Sequence, residues 1–124
     1  RDIKEGRLSG FVGHGTVRAA VTGALNPGAP SDEELAEMER LTRAALDAGC
    51  VGVSTGLGYP PGIFAQHDEL TAFAGWARAA GKLFTSHLRA YSRVSPVYQT
   101  PPQPSHNVAA IEEMLAVARA AGAR

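Results

Sequence analysis

The chain has 124 residues, the size of a single domain. Lys plus Arg and Asp plus Glu each total 12, so the formal charge is zero, and the positive excess that a nucleic-acid partner demands is missing. No apolar run approaches the roughly 20 residues of a membrane span, nothing at the N-terminus reads as a signal peptide, and the one cysteine cannot make an internal disulfide. With 44% hydrophobic residues a core is within reach, and the composition predicts a soluble, cytoplasmic α/β domain without a membrane partner.

Taken in chain order, Gly10 to His14 reads as a strand and Thr16 to Gly23 as a short helix. Ser31 to Ala48 carries Leu35, Met38, Leu41, Ala45 and Leu46 at helical spacing. Ser31 with Glu34 forms a capping box at its start, and Gly49 stops it. Cys50 to Ser54 reads as a buried strand. Asp68 to Ala80 repeats the helical pattern through Leu70, Phe73, Ala74 and Ala77, Gly81 stops it, and Leu83 to His87 follows as a strand. A last helix runs from about Asn107 to Gly122, with Val108, Ile111, Leu115 and Ala118 aligned on its expected packing face.

Strands alternating with helices predict a parallel sheet with right-handed crossovers, in (β/α) barrel units or a doubly wound sheet. Three strands cannot close an eight-stranded barrel, which takes about 250 residues. The expectation is a single segment, 1–124, of about three βα units cut from a larger (β/α)8 domain. The rival is a complete small domain with a three-stranded sheet.

In such architectures ligands bind beyond the carboxyl ends of the strands. Each candidate strand ends in polar residues: Gly13-His14-Gly15-Thr16, Ser54-Thr55-Gly56-Leu57-Gly58-Tyr59-Pro60-Pro61-Gly62, and Thr85-Ser86-His87-Leu88-Arg89. All three are expected on one rim. A neutral imidazole at His87 would suit a divalent metal, set against the ordinary role of a surface or hydrogen-bonded histidine. His14, between glycines, can approach a ligand or anchor a loop. His67 precedes a helix that Asp68 is placed to cap, and His106 either lines a lid or faces solvent. Cys50, at the start of its strand, reads as a small apolar residue. The loop Gly56 to Gly62 holds Tyr59 before a Pro-Pro pair, too far from the next helix for a phosphate cradle. Tyr91 to Ser105, holding four of the eight prolines, is either a substrate wall or an unoccupied loop.

Together, Val12-Gly13-His14-Gly15-Thr16-Val17-Arg18, the string Gly52 to Gly62, Asp68-Glu69-Leu70 and Thr85-Ser86-His87-Leu88-Arg89 resemble the N-acyl-D-amino-acid deacylase (D-aminoacylase) branch of the amidohydrolase superfamily. The resemblance runs from about Gly10 to the end. It implies a TIM-type barrel hydrolase, with the chain contributing about the third to fifth βα units and relying on the rest of the parent barrel. It implies zinc as cofactor, His87 as one metal ligand, and the remaining ligands and the catalytic aspartate base outside the chain. The implied substrate is a small N-acyl amino acid, with Arg89, Tyr59 and His14 expected to bind it: Arg89 as a carboxylate clamp, Tyr59 as a hydrogen-bond donor. Period-two alternation puts Thr85, His87 and Arg89 on one side while the strand lasts. Two features depart from the family: Ala90 stands where an acidic residue is usual, and the proline-rich 91–105 segment differs. A cyclic amidohydrolase of the dihydroorotase or hydantoinase kind and a non-catalytic α/β binding module are the alternatives.

Overall fold

The computed structural model of the protein describes residues 9–123. Strand β1 (Phe11–Gly13) leads into α1 (His14–Thr22) and α2 (Asp32–Asp47). After β2 (Gly52–Gly56) come a 3-10 turn at Gly62–Phe64, α3 (His67–Ala79), β3 (Leu83–His87) and α4 (His106–Ala121). The strands form one parallel sheet in the order β1-β2-β3, with Phe11 opposite Gly52 and Gly52 opposite Leu83. The expected parallel (β/α) architecture is present, as an open sheet rather than a closed barrel.

The helix punctuation follows the sequence. The Ser31 hydroxyl accepts from the Glu34 N–H at 3.2 Å while the Glu34 carboxylate accepts from the Ser31 N–H at 2.8 Å, a complete capping box. Gly49, Gly81 and Gly122 all take positive φ, the conformation that lets a chain leave a helix without a Cβ clash. The α3 start differs from expectation: the cap position is Gln66, which makes no side-chain cap bond, and Asp68 lies inside the first turn, where its charge favours the helix dipole.

Val12, Val53 and Phe84 are register partners, and together they point to the helix layer. There they meet Val17, Met38, Leu46, Phe73 and Trp76. Each fully buried large side chain here contributes about 1.5–3 kcal/mol. A second cluster of Leu57, Leu70, Ala74 and Val117 joins α3 to α4. The opposite sheet face carries Phe11, Leu83, Thr85 and His87, all exposed.

Three expectations need correction. Strand β2 begins two residues later than expected and runs on to Gly56. The Cys50 N–H still bonds the Ala45 carbonyl at the end of α2, whereas Thr55 and Gly56 pair with Ser86 and His87. His14 opens α1 instead of ending β1. In α4 the packed face is the other one: Ala110 and Val117 are buried, with Met114 and Ala121 against the core, while Val108, Ile111 and Leu115 are exposed. Both faces of α4 are apolar, so which one is buried is set by how the helix packs and not by the spacing of its apolar side chains.

Candidate functional site

The three strand ends do converge. Gly13 and Thr16 after β1, Ser54 and Gly56 of β2, and Thr85 and His87 of β3 line one cleft of about 380 Å³. A parallel sheet guarantees this, because every strand delivers its carboxyl end to the same rim.

His87 is the last residue of β3 and shares the exposed face with Thr85. Its backbone is fixed on both sides. The Leu57 N–H donates to the His87 carbonyl at 3.1 Å, and the next N–H, of Leu88, donates to the Tyr91 hydroxyl at 2.8 Å. On the helix side of the sheet the Thr55 hydroxyl donates to Ser86 Oγ at 2.8 Å, and Ser86 Oγ donates to the His87 carbonyl at 3.1 Å. The strand end is thus clamped while the imidazole stays open to the cleft.

Tyr59 stands beside it. Its hydroxyl folds back over Gly56, where a Cβ would collide with the ring and hydroxyl, so only glycine permits this placement. Tyr59 and His87 both border a second cleft of about 800 Å³, walled on its far side by the segment 91–97.

Two expected substrate contacts are engaged by partners within the chain, Arg89 at the border of the second cleft and His14 away from both clefts. Arg89 lies beyond the end of β3 and does not continue its alternation. It forms a forked ion pair with Glu113 of α4 at 2.8 Å, and donates to the carbonyls of Ile63 at 2.8 Å and Ala65 at 3.0 Å. It is a brace between the β2–α3 loop and α4, with its charge already answered. His14 is fully buried and turned away from the rim. Its Nε2 is 2.7 Å from Glu69 Oε1, and its ring meets Phe73 edge-on at 4.7 Å. The loop-anchoring role, not substrate contact, is what the geometry gives it.

Around His14 lies a charged cluster that the sequence did not single out. Glu69 Oε1 is also 3.1 Å from Arg18 Nε, without the alignment of a hydrogen bond. Arg18 donates to the carbonyls of Asn26 and Gly28 and to the Thr22 hydroxyl. The signal was present in the helical phase: Glu69 shares a face with buried Phe73 and Trp76, at i, i+4 and i+7.

Of the other histidines, exposed His67 only reaches Thr71 at 3.4 Å. His106 is buried, and it organises the proline-rich segment. Its Nδ1 accepts from the Ser95 N–H at 2.8 Å, its Nε2 faces the Thr100 carbonyl at 3.0 Å, and Tyr98 stacks on it at 4.7 Å. Accepting at one nitrogen and donating at the other requires the neutral ring. Burial pushes the Tyr98 phenol above its ordinary value, and the charge of Glu113 adds to that, against a smaller opposing pull from Arg89. Cys50 packs against the core near the opposite end of β2 from His87, as expected of an apolar residue. Among the described residues no three His, Cys, Asp or Glu side chains converge as a metal site. No described helix is long and apolar enough to cross a membrane.

No family model matches the chain. It is 40% identical over 116 residues to the N-acyl-D-glutamate deacylase of Alcaligenes xylosoxydans xylosoxydans, covering 93% of this chain and 21% of that protein. It is 35% identical over 109 residues to the D-aminoacylase of the same organism, covering 88% of the chain and 20% of the relative. Among solved structures it superposes with a TM-score of 0.73 and 38% identity on N-acyl-D-glutamate deacylase from Bordetella bronchiseptica, covering 93% of the chain and 22% of the neighbour. That structure holds zinc and a phosphonate inhibitor mimicking the tetrahedral intermediate of the reaction. The chain therefore spans about a fifth of the length of the relatives it matches. In sequence and in fold, the chain is similar to one portion of N-acyl-D-glutamate deacylase and of D-aminoacylase, the latter an amidohydrolase.

Proposed function

We propose that the chain forms about three βα units of a larger (β/α)8 domain, and that the whole protein hydrolyses the amide bond of an N-acyl amino acid with the help of zinc. The reading rests on one observation above the others. His87 sits at the carboxyl end of a parallel strand, on the exposed sheet face, with its backbone clamped and its imidazole open to a cleft shared with Tyr59. Similarity to deacylases over 93% of the chain supports the chemistry. The exposed Phe11 and Leu83 on the same sheet face, and the uncovered Val108-Ile111-Leu115 stripe of α4, support a larger domain, because a barrel covers both surfaces.

His87 fits a metal as one neutral nitrogen ligand; the other ligands and the carboxylate base would come from outside the described residues. Zinc, when bound, supplies Lewis-acid polarisation of a carbonyl and an activated water near neutral pH. Within this chain, the fixed strand end orients the imidazole, and Tyr59 Oη offers one hydrogen bond to the substrate. Ser54 and Thr85, on the same sheet face as His87, give the cleft a polar floor. Arg89 and His14 hold the frame instead of the substrate.

In the full-length protein carrying this chain, His87→Ala is expected to lower zinc content, measured by elemental analysis, and to reduce hydrolysis of N-acetyl amino acids at least a hundredfold, in the range seen when a group essential to the chemistry is lost. Full zinc occupancy with undiminished turnover in that variant would overturn the reading. Faster cleavage of dihydroorotate or hydantoin than of any N-acyl amino acid would move the protein to the cyclic amidohydrolases.

A further inference from the structure

We propose that the second cleft, between Gly58-Tyr59 and the proline-rich segment, receives an uncharged apolar group of the substrate, so that this wall selects against acidic substituents. The inference rests on the amidohydrolase reading for what is cleaved, and on this chain's own residues for what is preferred.

Position comes first. The cleft shares Tyr59 and His87 with the rim cleft, so a molecule held at His87 extends one of its ends into it. Its volume of about 800 Å³ lies within the ordinary range for small-molecule sites. Its lining is mainly apolar, through Leu88, Ala90, Tyr91, Pro96 and Val97, with Ser92 and Ser95 as polar members of the far wall.

Charge comes second. Arg89 also borders the cleft, and a free guanidinium there would attract a carboxylate. This one is not free. Glu113 neutralises it through a forked pair, and the Ile63 and Ala65 carbonyls take two more of its five N–H donors, leaving one Nη1 N–H. A substrate carboxylate entering the cleft would lose water and find no uncommitted cation, which is costly. An alkyl or thioether group would lose only unfavourable hydration.

Rigidity comes third. The wall is pinned from behind, where His106 holds Ser95 and Thr100 and stacks on Tyr98. The Arg93 and Ser92 carbonyls accept from the first two N–H groups of α4, at 3.0 and 3.1 Å. A wall fixed before binding discriminates shape more sharply than one that must order around its ligand.

Two parts of the substrate carry such a group, the amino-acid side chain and the acyl chain, and a two-armed substrate panel separates them. One arm fixes the acetyl group and compares N-acetyl-D-leucine with N-acetyl-D-glutamate. The other fixes leucine and compares acetyl with butanoyl. The zinc-loaded full-length protein is expected to favour the apolar member of one arm by about tenfold or more in kcat/KM. Val97→Arg is expected to erase that preference, with most of the change in KM. Val97→Ser, a milder change, serves if the arginine variant does not fold. Calorimetric binding of N-butanoyl-D-leucine, expected to weaken about tenfold in either variant, reads the cleft without turnover.

The two readings fail separately. Hydrolysis that prefers glutamate, or that ignores Val97 in both arms and in binding, overturns the cleft assignment and leaves the amidohydrolase reading standing. Absence of hydrolysis, with Val97-dependent binding of the apolar ligand, overturns the amidohydrolase reading and leaves the cleft assignment standing.

Discussion

His14, Arg18 and Glu69 are buried beneath the rim, an arrangement that charge alone would not favour. Taking ions out of water costs several kcal/mol each, and mutual attraction offsets this only when the pair stays intact. Glu69 is the shared partner of the other two, so its removal leaves Arg18 buried without an opposing charge. Glu69→Ala is expected to lower the unfolding free energy by about 3–5 kcal/mol, measured by urea denaturation. A loss below about 1 kcal/mol would show that water reaches Arg18 freely. The sequence displayed His14 between two glycines and invited a binding role. Glu69, the partner it shares with Arg18, lies 55 positions from His14, and although its helical phase marks it as buried, no local pattern says which residues it will meet. Arg89 teaches the same lesson. Strand alternation lapses at His87, and what the arginine then meets is set by where α4 lands.

Helix α2 is the element with the clearest local logic. Ser31 caps it, its first turn is acidic, and Arg40 pairs with Glu37 one turn on. The Glu33 carboxyl is held below its ordinary value by its backbone hydrogen bond first and by the Ser31 hydroxyl second. A carboxyl depressed on folding contributes stability above its unfolded value and loses it as pH falls through the folded one. Ser31→Ala is expected to cost about 1 kcal/mol near neutral pH, seen as a lower urea midpoint at unchanged slope. The gap between variant and parent is expected to narrow as pH drops below the carboxylate range, because the Ser31–Glu33 contact then contributes to neither. A gap that widens on acidification would assign the cap's effect to something other than Glu33. Helix α4 behaves differently: its start and stop are legible, yet its buried stripe is not, since the face that meets the core carries Ala110, Met114 and Val117 and the equally apolar Val108-Ile111-Leu115 face is left exposed.

At the scale of the whole molecule, both outer strands of the sheet have a side that pairs with no described residue, and the face carrying His87 also exposes Leu83 at 59% and Phe11 at 42%. Edges and apolar faces of this kind associate unless something covers them. The 124-residue chain produced alone is expected to self-associate in sedimentation velocity experiments, and Leu83→Lys is expected to shift it toward monomer without changing its circular dichroism. A monodisperse monomer at high concentration would argue for the complete small domain and against the larger barrel. Across this open face the rim cleft is set by the strand register, which brings Gly13, Ser54 and Thr85 side by side.

The amino-acid sequence by itself determined the alternation of strands and helices, the helix stops, the parallel sheet and the shared rim. These follow from periodicity, capping and glycine conformation, which act over a few neighbouring residues. Only the tertiary structure decided that His14 points inward, that Arg89 is a brace, that His106 stiffens the proline-rich wall and which of its two apolar faces α4 buries. Each of those outcomes depends on a partner dozens of positions away, and burial and charge pairing are settled by which surfaces meet once the chain has folded.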